Sequence, residues 1–128
     1  MEKVEISLKR APDEARVNDP KFQEELTKFS KSLRAAGISY SQRGMAFDAV
    51  DAVGYALPEF VVALKAIGPT LGTLGVIFVA YLQGRYGRKI RLKIGEIEVE
   101  ARTVEEVENL LEKIKQFQQE YPSSADDS

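Results

Sequence analysis

The stretch "AIGPTLGTLGVIFVAYLQGRYGRK", residues 66–89, decides how the rest of the chain is read. No residue from Ala66 to Gln83 is charged. A helix from Pro69 to Tyr86 would be about 27 Å long at ~1.5 Å per residue, close to the ~30 Å hydrocarbon core of a bilayer. Apolar residues lie all round it, which implies burial on every side. Arg85, Arg88, Lys89, Arg91 and Lys93 follow as a membrane-flanking basic cluster, which would set the C-terminal part on the cytoplasmic side. Three features oppose a simple span. Thr70, Thr73 and the glycines dilute the hydrophobicity, and Glu59 and Lys65 stop it from extending backwards. A span would also part an N-terminal strand from the hairpin it is suited to join, and an unpaired strand edge is a liability. Two readings stay open: a re-entrant or peripheral membrane corner around Gly68-Pro69, or a helix buried in the core or dimer interface of a soluble domain.

Within that stretch Gly68, Gly72 and Gly75 fall at i, i+4 and i+7, and Val79 extends the stripe. Glycine costs about 1 kcal/mol relative to alanine inside a helix. A stripe of three therefore implies close approach of another backbone, from a second molecule or from the same subunit. "GPTLGTLG" is not a phosphate loop, since it lacks the Gly-Lys-Ser/Thr ending and no strand precedes it.

Downstream, "RKIRLKIGEIEVEAR" (residues 88–102) is two alternating runs around Gly95-Glu96. Ile90, Leu92, Ile94, Ile97, Val99 and Ala101 share one face. Arg91 and Lys93 oppose Glu98 and Glu100 on the other, a pairing worth roughly 0.2–1 kcal/mol for each cross-strand pair. The pattern predicts strands near 88–94 and 96–102. Thr103 with Glu106 makes a capping box for a helix near 104–118, with Val107, Leu110, Leu111, Ile114 and Phe117 apolar.

Upstream, Val4, Ile6 and Leu8 alternate in "VEISLK", which predicts a strand that joins the hairpin. Asp19 and Pro20 are suited to N-cap and N1, and Phe22, Leu26, Phe29 and Leu33 mark one face of the helix that follows. Gly37 ends it, and "ISYS" (38–41) is a short strand, giving a βαβ-like start. Phe47, Val50, Val53 and Leu57 fit a helix over Met45–Leu57. Pro58 is read as opening another, with Phe60, Val61, Leu64 and Ile67 apolar.

The chain has 128 residues, a net charge of −2, no Cys and no His. Disulfides, thiolate chemistry and imidazole chemistry are excluded. The acidic balance argues against a nucleic-acid partner. "MEKVEISLKR" lacks a signal-peptide core, so the expected location is the cytoplasm, at the inner face of the cell membrane if the helix inserts. Asp48 and Asp51, three apart on a helix, could act as an acid/base pair or hold a hard cation. Two carboxylates so spaced on an amphipathic helix are usually just its solvated side, and with Glu59 they form the sole enzyme reading. No catalytic residue, metal site or cofactor is assigned.

The order of apolar helix, Arg/Lys-rich exit, strand pair with "GEIEVEA" and Thr-capped helix with "EEVENLL" resembles the effector-associated constant component family of bacterial conflict (defence) systems. "LPEFVVALKAIGP" fits the segment before the apolar helix, and the resemblance spans roughly residues 56–115. It implies a small non-enzymatic accessory or adaptor that works through a protein partner, an effector or regulator, or through self-association. The unrelated alternative is a soluble dimeric binding module. Taken together, the sequence predicts an α+β fold. A single domain spans 1–118, with a central apolar helical segment at 58–86, a ββα unit at 87–118 and an acidic tail at 119–128.

Overall fold

The computed structural model describes residues 3–42, 45–47 and 54–120. The fold is α+β, and its sheet is antiparallel throughout. Strand β1 (Lys3–Lys9) leads to helix α1 (Pro20–Ala35) and then to β2 (Ser41–Gln42). A separate short pair, β3 (Met45–Phe47) with β4 (Gly54–Ala56), follows. Next come β5 (Glu59–Ala63) and one helical turn, α2 (Leu64–Ile67), which runs through a 3-10 turn at Gly68–Thr70 into α3 (Leu71–Gln83). The hairpin β6 (Lys89–Ile94) and β7 (Ile97–Ala101) and helix α4 (Val104–Glu120) complete the chain.

The sheet order is β2-β5-β1-β6-β7. Its register stacks apolar residues into rows on one face: Phe60–Ile6–Leu92–Val99, Val62–Val4–Ile94–Ile97 and Leu8–Ile90–Ala101. The same core includes Phe22, Phe29 and Leu33 of α1, Leu74 and Phe78 of α3, and Leu110 and Ile114 of α4. The opposite face carries the rows Val61–Glu5–Lys93–Glu98 and Glu59–Ser7–Arg91–Glu100, so its charges largely alternate in sign. The hairpin follows the expected pairing, with Gly95 taking φ +61° at the turn. A side chain rarely adopts that conformation. The Asp19 carboxylate accepts from Lys21 N–H at 2.8 Å. Thr103 Oγ1 accepts from Glu106 N–H, and the Glu106 carboxylate accepts from Arg102 N–H at 2.8 Å, so both helices start where the cap residues indicated.

β1 and β2 are each antiparallel to β5, which lies between them, so they run parallel to each other. The expected strand–helix–strand start is thus present as a split βαβ unit, with the second strand at 41–42 rather than 38–41. The helix expected over Met45–Leu57 is not formed at either end. Met45 pairs with Ala56 and Phe47 with Gly54 across two strands. Gly54 argued against that helix, since it costs about 1 kcal/mol there. Asp48 and Asp51 lie outside the described residues.

The helix read from Pro58 is also corrected. Glu59–Ala63 is a strand, so the helical segment placed at 58–86 begins at Leu64. Phe60 and Val62 point into the core, both at 0% exposure, while Val61 is half-buried. The Pro58 carbonyl accepts from Leu8 N–H at 2.9 Å and carries the β1 ladder one residue beyond the strand. A short apolar run fits both periods, and here the free edge of β1 selected the strand.

Candidate interaction face and the buried arginine

α3 has 13 residues, about 20 Å at ~1.5 Å per residue. Among the described residues no helix is long and apolar enough to cross a membrane. Its buried side consists of Leu74, Gly75, Ile77, Phe78, Tyr81 and Leu82. Its exposed side is Gly72, Thr73, Val76, Ala80 and Gln83, which carries no charge. Val76 is 68% exposed. This side continues into a groove of about 390 Å³ between α3 and α4, whose other wall includes Val104, Val107 and Leu111. Val104 is also exposed, at 44%.

The glycine stripe divides. Gly75 is where α3 meets α4, because a Cβ there would lie 2.7 Å from Leu111 Cδ1. Gly68 is exposed, and a Cβ on it would touch only Gln118 Nε2, at 3.6 Å. That amide donates to the Leu64 carbonyl at 3.3 Å and fastens the end of α4 to α2. Gly72 has no atom within 4 Å of a Cβ position and faces outward, while Val79 lines the groove half-buried. Close approach within the subunit thus accounts for Gly75, and Gly72 remains available to another molecule. Gly72→Ala is accordingly expected to raise the stability of the isolated fold slightly, by up to about 1 kcal/mol. It should at the same time weaken any contact made through this face. Thermal melting and a concentration series on the same variant check the two halves separately.

The basic cluster also separates by position. Arg88 is 4% exposed and holds the N-terminal loop against the sheet. Its Nη2 and Nε donate to Glu14, the latter at 3.1–3.2 Å, and its Nη1 donates to the Tyr81 carbonyl at 2.9 Å. Glu25 Oε1 is 3.3 Å from the same Nη1, and the guanidinium lies 4.5 Å from the centre of the Tyr81 ring. Glu14 accepts in addition from Ala11 N–H at 2.9 Å. The Tyr81 hydroxyl donates to the Lys9 carbonyl at 3.1 Å. Burial pushes the Glu14 carboxyl up, but the hydrogen bonds from Arg88 and Ala11 and the Arg88 charge outweigh it, and the net shift is downward. Burial lowers the Arg88 affinity for its proton, and the Glu14 hydrogen bond together with electrostatic interactions with Tyr81, Glu14 and Glu25 more than reverses that. Burial raises Tyr81, so its phenol stays neutral.

Arg85 pairs with Asp13 at 3.3 Å. Arg91 sits on the outer sheet face with Glu100 at 3.0 Å, and Lys93 stands opposite Glu98. Lys89, at the start of β6, is half-buried. The five cations therefore do not form one surface. The Arg88–Glu14 pair was not legible in the sequence, because its members lie 74 residues apart and only the fold brings them together. The nearest signal was a single arginine between Gly87 and the first residue of β6. Among the described residues no group of three or more acidic side chains is placed to hold a metal. Compared with family models, curated proteins and solved structures, the chain finds no match.

Proposed function

We propose that this protein is a non-enzymatic interaction component, and that the uncharged face of α3 with the α3–α4 groove is where it associates. The observation that carries the reading is Val76, an aliphatic side chain 68% exposed on a helix without a single charge. Solvated helix faces ordinarily carry charged or polar residues, and exposed apolar patches rimmed by polar groups mark contact surfaces. The first occupant is a second copy of the chain. Gly72 is an open hole one turn from Val76, so two α3 helices related by a two-fold axis can cross at Gly72, with the two valines packed beside the crossing. Such an interface is self-complementary, and small residues let the backbones come close. The resemblance of residues 56–115 to the effector-associated constant component family supports reading this association as part of a bacterial conflict system, in the cytoplasm, where the dimer would present itself to an effector or regulator. A peripheral contact of the same face with the inner side of the membrane is the second reading, favoured by the apolar character of α3.

Sedimentation velocity of the full chain over a concentration series, alone and with lipid vesicles, tests both. Reversible dimers that Val76→Arg dissolves at unchanged melting temperature support the first reading. Vesicle binding lost in Val76→Arg, from a chain monomeric in solution, supports the second. A monomer that binds no vesicles overturns the assignment of the face.

A further inference from the structure

At the C-terminal end of α3 a cleft of about 730 Å³ opens between the N-terminal loop, the 84–88 turn and the junction of β7 with α4. Its size lies within the range of small-molecule sites, roughly 300–1,000 Å³. Arg85, Arg88, Lys89 and Arg102 line it against a single acid, Asp13. Arg88 is neutralised from behind by Glu14, and Arg85 shares its charge with Asp13 across an exposed pair, which contributes little and is readily exchanged. Among the described residues, Lys89 and Arg102 have no acidic side chain within ion-pair distance. On a chain with a net charge of −2, this is a local positive pocket. Tyr86 stands on its rim at 98% exposure, so its ring is fully available for stacking.

We propose that this cleft binds a nucleoside phosphate, with the base stacked on Tyr86 and the phosphate held by Arg85, Lys89 and Arg102. A planar ring on an aromatic side chain beside convergent cations is the arrangement that recognises a base joined to a phosphate. Strands of nucleic acid need a long basic track and usually a basic domain. This one is a single pocket on an acidic chain, so the ligand is a free nucleotide. The inference is independent of the association face, since the cleft and the α3–α4 groove share no lining residue.

Titration calorimetry of the full chain against AMP, GMP, CMP and UMP tests it, with inorganic phosphate and a ten-residue oligothymidylate as controls. At least one nucleotide is expected to bind at least tenfold more tightly than phosphate. Tyr86→Ala is expected to weaken that binding by about fivefold or more, given the usual worth of base–aromatic stacking, and Arg102→Glu by about tenfold or more. Both side chains are exposed, so unchanged melting temperatures will show that the variants fold. Absence of nucleotide binding, phosphate binding as tight as nucleotide binding, an oligonucleotide that binds more tightly than any nucleotide, or affinity unaltered in both variants would each overturn the proposal.

Discussion

Arg88→Met is expected to destabilise the fold by about 3–5 kcal/mol, the usual cost of removing one partner from a buried ion pair. The Glu14 side chain is 7% exposed, and without Arg88 its charge would be left inside with only the Ala11 N–H to satisfy it. The Tyr81 carbonyl would lose its Nη1 donor at the same time. The large single-variant cost does not mean that the pair contributes that much in net terms. Replacing both partners by apolar residues of similar size often recovers most of the loss, so Arg88→Met with Glu14→Leu should lie well above Arg88→Met alone. Urea denaturation of the two variants measures the difference. The pH dependence follows from the direction of the Glu14 shift. Its carboxyl is held below the unfolded value of about 4.3, so the folded state binds its proton less readily. The stabilisation is fully present above that value and is lost as the pH falls through the lower, folded one. Wild-type stability should therefore decline below about pH 4.3 more steeply than that of Glu14→Gln, which has no proton to gain at this site. Equal slopes would remove Glu14 from the account.

Phe60→Ala should cost about 3–5 kcal/mol, as for other large-to-small core changes. Phe60 is at 0% exposure, with ring centroids 5.1 Å from Phe29 and 5.4 Å from Tyr40. It therefore joins β5 both to α1 and to the segment leading into β2. The neighbouring valines distinguish strand from helix. In the strand, Val62 is at 0% exposure and Val61 is half-buried. Val62→Ala should then cost about 1.5–3 kcal/mol from lost burial, and Val61→Ala clearly less. The helical spacing of Phe60, Val61, Leu64 and Ile67 requires the reverse order. Denaturant midpoints for the two variants separate these outcomes.

These comparisons show which parts of the fold local sequence can specify. The β6–β7 hairpin was legible because its partners are close in sequence and its outward pairs, Arg91–Glu100 and Lys93–Glu98, set a cation opposite Glu. The starts of α1 and α4 were legible because Asp19, Thr103 and Glu106 bond to backbone groups within four residues. β5 was not, because Phe60-Val61-Val62 satisfies either period. Its conformation is set by pairing with Val4, Glu5 and Ile6, more than fifty residues earlier in the chain. Long-range pairing of this kind overrides local preference. The division of the basic cluster was not legible for the same reason: the acids that partner Arg85 and Arg88, at positions 13 and 14, are brought in from the distant N-terminal loop. The glycine stripe was half legible. Its spacing implied close approach of another backbone, whereas at Gly75 the Leu111 side chain fills the space, and spacing alone could not show that Gly72 stays open.

The chain has no cysteine of its own, so a single introduced thiol can report directly on which surface meets a second copy. Gly72→Cys, with its side chain on the exposed face of α3, should form an intermolecular disulfide rapidly under mild oxidation. Ser32→Cys, on the exposed side of α1, should cross-link slowly and only at high protein concentration. Selective cross-linking through Gly72→Cys is the result the association face predicts. Equal rates at the two positions, or no cross-link at position 72 at concentrations where the chain sediments as a dimer, would contradict it.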